Sequence, residues 1–291
     1  METFITVQRK WILPSVDRMS YEIIVALVIV LTIPFLLHYI FYRSSGNKTV
    51  PSFILLGPCG SGKTSLLTLL KLGQSSKTHT SQTSSTVELV LPNDKVSGSD
   101  RYRSINDPSH HLNRKFLLTD TPGHGKLRPI AQKNLSTLQN IKGIIFVVDA
   151  SRLKNGDDYL RSTAEYLYEV LLLLKKKAEE SNYLKVTSVL IAANKMDLFT
   201  ALPKELIQNN LESEISKLRI SKIYGLQDSG AAEEIGLDDE KDEWLGENGS
   251  EKFQFSHLRE SINLSIEILG GNVNGKNPHV EEWWAWIARQ L

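Results

Sequence analysis

The stretch GPCGSGKT, residues 57–64, directly follows the apolar run VPSFILL and constrains the fold more than any other segment. The pattern G-x-x-x-x-G-K-[ST] works only where a strand runs into a loop and the loop opens a helix. There the backbone N–H groups wrap an anion and the helix N-terminus adds its positive end. Lys63 reaches the β- and γ-phosphates of a nucleotide, and the Thr64 hydroxyl is placed for Mg2+. Gly57, Pro58, Cys59, Gly60, Ser61, Gly62, Lys63, Thr64 and the adjoining Ser65 are therefore the first binding candidates.

The rest of the chain alternates in the way such a loop requires. Apolar strands are expected at 50–57, 87–92, 115–120, 143–150, 186–194 and near 263–268. Helical patterns fall at 62–72, about 127–139, 157–180, 203–219 and 279–290. Buried strands alternating with amphipathic helices imply an α/β fold, a doubly wound, mostly parallel six-stranded sheet covered on both faces. Trp283, Trp284 and Trp286 read as packing for the last helix.

Two further motifs sit at strand ends. In DTPGH, residues 120–124, the Asp120 carboxylate can hold the metal through water. The Gly123 N–H can approach a γ-phosphate because glycine permits close contact. Release of that contact makes a switch. In NKMD, residues 194–197, Asp197 accepts two hydrogen bonds from the guanine N1–H and exocyclic amine. Adenine offers neither, and a site built for such a pair rejects its absence by about 10⁴-fold. Asn194 buttresses the loop and the Lys195 stem covers the ring. The nucleotide is GTP or GDP. A switch threonine must also close over the γ-phosphate and Mg2+, and Thr78, Thr80, Thr83 and Thr86 are all candidates by spacing.

The segment 23–42 has no Asp, Glu, Lys or Arg. As a helix, its 20 residues reach about 30 Å, the hydrocarbon thickness of a bilayer. It reads as one N-terminal transmembrane helix, with Tyr21, Tyr39 and Tyr42 near its ends. Basic residues flank it on both sides, so orientation follows from the nucleotide, which is cytosolic. The expected organisation is a short luminal tail 1–22, a transmembrane helix 23–42, a linker 43–49 and a cytosolic GTPase domain 50–291. The sequons at Asn47, Asn134, Asn248 and Asn263 then go unused. An acidic stretch, about 228–251, holds ten Asp or Glu and one Lys and reads as a solvated flexible insertion. Net charge is +1, which gives no case for direct nucleic-acid binding, and a single cysteine excludes an intrachain disulfide framework.

With these residues in place the chain resembles a small GTPase of the Ras/Arf superfamily, and more specifically the family of signal recognition particle receptor β subunits. DTPGHGKLRP, AEYLYEVLLL (164–173), EISKLRISK (214–222) and FQFSH (253–257) carry that likeness along with the N-terminal span. The resemblance implies a single-pass protein of the endoplasmic reticulum membrane. In its GTP-bound state it binds the N-terminal domain of the receptor α subunit for co-translational targeting. The ribosome or translocon is a further partner under this reading.

The same resemblance favours Thr80 as the switch threonine and Mg2+ ligand, beside Thr64 and Asp120, with Thr83 next. It puts Leu269 and Gly270 at the last guanine-contacting loop, where relatives of the superfamily carry Ser. It also puts His124 at the position that orients water. Cys59 stands where glycine is usual and projects toward the γ-phosphate, so slow intrinsic hydrolysis, stimulated by a partner, is expected. The alternatives are a GTP-binding tether with negligible hydrolysis and an Arf-type vesicle-traffic GTPase. The Arf type is disfavoured by the apolar span and by the lack of an M-G or prenylation signal.

Overall fold

The computed structural model describes residues 21, 23, 25–36, 50–91, 115–138, 140–180, 187–228, 252–275 and 277–291. The chain divides into two compact units, Met1–Thr49 and Val50–Leu291. In the first, residues 25–36 are helical, and every described side chain there is exposed, Phe35 to 81%. Thr32 Oγ1 donates back to the Val28 carbonyl at 2.8 Å, so even the polar side chain is satisfied within the helix. No helix among the described residues is long and apolar enough to cross a membrane. Residues 37–42 of the expected span lie outside the described residues. So do the linker 43–49, the acidic residues 229–251 and all of the expected tail except residue 21.

The second unit holds strands β1 (Ser52–Leu56), β2 (Ser85–Val90), β3 (Lys115–Asp120), β4 (Ile141–Asp149), β5 (Thr187–Asn194) and β6 (Leu264–Gly270). Its helices are α1 (Lys63–Leu72), α2 (Arg128–Thr137), α3 (Asp158–Glu180), α4 (Lys204–Asp228), α5 (Phe255–Ile262) and α6 (Glu281–Gln290). The sheet order is β2-β3-β1-β4-β5-β6. All pairings are parallel except β2 with β3, which is antiparallel.

Strand alternation divides the core into two layers. Phe53, Leu55, Ile145, Val147, Leu190 and Ala192 face one side, where Leu66 of α1 and Trp283 and Trp286 of α6 cover them. Ile54, Leu56, Ile144, Phe146, Val148, Val189 and Ile191 face the other, under α2 to α5. Both faces of each central strand are buried, which is why these strands read as unbroken apolar runs. Trp283 and Trp286 are 2% and 1% exposed, and they are packing residues, as expected.

Two helices depart most from the expected pattern. α4 runs to Asp228 rather than stopping at 219. Aromatic faces meet it where the expected end is passed: the Arg219 guanidinium lies 5.8 Å from the Phe253 ring, and in the extension Lys222 Nζ lies 4.7 Å from the Tyr168 ring. α5, eight residues long, lies where no helix was expected. It begins where the Phe253 N–H donates to Ser216 Oγ (3.1 Å) and the Phe255 N–H to the Glu212 carboxylate (2.9 Å). Three of the quoted stretches, 164–173, 214–222 and 253–257, thus meet in one cluster on α3 and α4.

Candidate functional site

The parallel strands β1, β3, β4, β5 and β6 end at one edge of the sheet, where ligands of open α/β sheets bind. β2 runs the opposite way, and its first residue pairs with the last of β3, Ser85 with Asp120. The loop 73–84 that precedes β2 is therefore delivered to that same edge.

Gly62 closes the phosphate loop with φ 100° and opens α1, whose first turn carries no acidic residue. Lys63 is buried and folds back over the loop. Its Nζ donates to the Gly57 and Pro58 carbonyls, both at 2.8 Å, and to Ser61 Oγ at 3.4 Å. Burial pulls its pKa down to about 8, against the raising effect of Asp120. The ammonium is thus parked on carbonyls, ready to exchange them for a stronger acceptor. Cys59 and Gly60 are exposed at the loop's tip.

Thr64 Oγ1 donates to Asp120 Oδ2 at 2.7 Å and lies 2.7 Å from Ser81 Oγ. Ser81 Oγ donates to the same Oδ2 at 3.2 Å. Asp120 Oδ1 is buried and has no hydrogen-bond partner. Burial raises the Asp120 pKa, against the hydrogen bond from Thr64 and the charge of Lys63. Two hydroxyls and a carboxylate with a spare oxygen form a hard-oxygen set, the chemistry that suits Mg2+.

The four candidate threonines separate. Thr86 belongs to β2 and pairs with Thr119 across the ladder at 3.0 Å. Thr78 is bonded to Ser65 Oγ at 2.8 Å. Thr80 and Thr83 are exposed. The hydroxyl that reaches Thr64 and Asp120 belongs to Ser81, adjacent to the residue the resemblance favours. Serine carries the same donor group as threonine, so the residue type alone does not separate them.

Asn194 joins three loops. Its Nδ2 donates to the Ser61 carbonyl at 2.8 Å, and its Oδ1 accepts from the Lys195 N–H (2.8 Å) and the Val273 N–H (3.1 Å). Lys195 adopts φ 65°, and its ammonium is paired with Asp149 at the end of β4. Asp197 is exposed beyond it. A Cβ on Gly275 would lie 3.8 Å from Asp197 Oδ2, so the loop 271–275 borders Asp197.

Leu269 and Gly270 occupy another position. They end β6. The Leu269 carbonyl accepts from Trp283 Nε1 at 3.1 Å, its side chain packs on the core, and Gly270 sits against Met196. His124 is exposed, and its Nδ1 accepts from the Lys126 N–H at 3.3 Å, which caps the turn Gly125–Leu127. The Thr121 hydroxyl donates to the Leu55 carbonyl at 2.7 Å and fixes the start of that segment to β1.

Strand order, a phosphate loop after β1 and the two motif loops beside it define the P-loop G-domain class. A family model described as signal recognition particle receptor beta subunit matches residues 48–262. The chain belongs to that family. It is 31% identical over 243 residues to the signal recognition particle receptor subunit beta of Saccharomyces cerevisiae, covering 83% of this chain and 84% of that protein. To the human protein of the same name it is 30% identical over 283 residues, 95% of this chain and 89% of the other. Among solved structures it resembles the SRb-GTP/SRX complex of the receptor from Chaetomium thermophilum, with a TM-score of 0.67 and 33% identity, covering 83% of this chain and 100% of that one. The SRb-GDP-Mg form from the same organism gives a TM-score of 0.60 and 35% identity, with coverage of 85% and 100%.

Proposed function

We propose that this chain is a membrane-anchored regulatory GTPase of the endoplasmic reticulum. It binds GTP or GDP with Mg2+ and, in the GTP state, tethers the N-terminal domain of the receptor α subunit for co-translational protein targeting. The observation that carries the reading is the meeting of the phosphate loop, the Asp120–Gly123 segment and the Asn194–Asp197 segment at one sheet edge, with Asn194 bonded to the first.

Each residue then has a role. The N–H groups of 57–64 and Lys63 hold the phosphates. Thr64, Ser81 and Asp120 would hold the metal, which would neutralise phosphate charge. Gly123 meets the γ-phosphate, and Asp197 reads guanine beside the loop 271–275, whose Gly271, Asn272 and Val273 N–H groups are already bonded within the protein. The loop 74–84 and the segment 121–127 are the parts that respond to the γ-phosphate, because Ser81 and Gly123 anchor them to it. The solved relatives named with GTP and SRX, and with GDP and Mg, support GTP, GDP and Mg2+ as the ligands.

Anchoring by a span at 23–42 is supported by the helix at 25–36, whose described apolar side chains are all exposed. GTP is cytosolic, so the domain 50–291 lies on the cytosolic side. Hydrolysis is slow. His124 Nδ1 is engaged by the Lys126 N–H, and the exposed Cys59 side chain would stand in the way of an arginine finger, worth about 10³–10⁵ in rate.

Equilibrium binding of GTP, GDP and ATP to the full chain tests the central assignment. Guanine nucleotides are expected to bind at least about 10³-fold more tightly than ATP. Asp197→Asn is expected to transfer the preference to xanthine nucleotides, whose C2 carbonyl accepts from an amide. Equal affinity for ATP and GTP would refute the reading.

A further inference from the structure

The geometry points to Asp149 as a positioning residue for base recognition, acting through Lys195; this rests on the guanine-nucleotide reading above. Asp149 is the last residue of β4, 2% exposed, and pairs in register with Asn194 at the end of β5. It therefore stands beside the NKMD loop though distant from it in sequence. Its Oδ1 accepts from the Ser151 N–H at 3.1 Å and from Ser151 Oγ at 2.6 Å. Its Oδ2 accepts from Lys195 Nζ. Its own N–H donates to the Tyr159 hydroxyl at 3.2 Å, so backbone and side chain are both fixed before the lysine arrives.

Lys195 needs such a partner. Its backbone is left-handed, a conformation β-carbon residues adopt only when surroundings impose it. The two flanks of Lys195 are held, by Asn194 Oδ1 at its N–H and by the Leu198 N–H on its carbonyl at 3.1 Å. The stem alone stays free to rotate, and a lysine stem has high rotamer entropy. Pairing the ammonium with a rigid buried carboxylate restricts that stem to the rotamers that reach Asp149. In this role Asp149 acts through Lys195, orienting the lysine that covers the base and the turn that presents Asp197.

The test measures dissociation constants of the full-length protein for GDP and IDP, which lacks the 2-amino group that Asp197 would accept from. Asp149→Asn keeps the shape and removes the charge. Lys195→Met keeps the apolar stem and removes the ammonium, so it tests the ion pair from the other side if the first variant fails to fold. Each is expected to weaken GDP binding about tenfold and to narrow the preference for GDP over IDP, and the double variant to be no worse than either single one. A mere packing role for Asp149 would lower the melting temperature and leave the GDP-to-IDP ratio unchanged. Wild-type affinity and ratio in Lys195→Met would overturn the proposal while leaving the guanine reading intact. Failure of the wild-type protein to bind GDP would overturn both.

Discussion

The Asn194 side-chain amide donates to the Ser61 carbonyl at 2.8 Å, across 133 residues of chain, and so ties the base-reading loop to the phosphate loop. A Cβ on the neighbouring Gly62 would stand 2.2 Å from that nitrogen, so the bond exists only because residue 62 is glycine. Asn194→Ala removes three hydrogen bonds, two of them buried, and leaves their partners unpaired. The expected loss is about 3 kcal/mol of stability, at roughly 1 kcal/mol each. Denaturant unfolding of the nucleotide-free protein measures it, and a loss below half of that would mean water replaces the amide.

Ser81, rather than Thr80, is expected to govern Mg2+-dependent GTP binding. Ser81→Ala should raise the Kd for GTP in Mg2+ by about tenfold, the equivalent of one ligand or hydrogen bond near 1.4 kcal/mol. Thr80→Ala should leave it within about twofold, as expected for a surface substitution. Nucleotide dissociation rates with and without Mg2+ decide between them; the reverse order would return the role to the threonine.

Lys63 makes binding pH-dependent. Its pKa in the free protein is about 8, against an ordinary 10.5. The unfolded chain therefore holds more protons between these values, and this group's contribution to stability rises with pH across that window. Bound phosphates draw the pKa up again, so nucleotide binding takes up a proton above pH 8. Affinity for GDP should then fall by up to about tenfold per pH unit above 8. Calorimetry at pH 9 in buffers of different ionisation enthalpy reads the proton uptake directly. A zero uptake there would contradict the parked-ammonium geometry.

Gly123 admits no side chain. A Cβ would lie 2.4 Å from Lys63 Nζ, 2.7 Å from the Gly57 carbonyl oxygen and 2.8 Å from the Pro58 carbonyl carbon. The lysine tip can swing aside, but the backbone atoms cannot. Gly123→Ala should therefore push the 121–127 segment away from the loop. GTP affinity should fall at least tenfold while GDP affinity falls less, a gap of about 1.4 kcal/mol. Parallel titrations with both nucleotides show the ratio.

The sheet was legible because β1, β4 and β5 are buried on both faces and carry uninterrupted apolar residues. The motif residues followed from it, because each stands at a strand's C-terminal end. What escaped the sequence was settled by tertiary contacts. The second half of α4 depends on Tyr168 and Phe253, supplied from distant segments. Asp149 looked like the polar end of a strand, and only the β4–β5 register shows that it stands beside Lys195. Spacing left the switch hydroxyl open, since Thr78, Thr80 and Ser81 lie within four residues and the antiparallel β2 decides which one faces Asp120. Leu269 lies within β6, its carbonyl bonded to Trp283 Nε1. β6 runs on through Gly270, so the loop beside Asp197 begins only at Gly271.

The tethering role is tested most directly by recruitment. Full-length protein in liposomes is loaded with a non-hydrolysable GTP analogue or with GDP and mixed with the N-terminal domain of the receptor α subunit. Co-flotation is predicted with the analogue and strongly reduced with GDP, with Thr64→Asn behaving like the GDP form. Equal recovery of the domain in both nucleotide states would contradict the account.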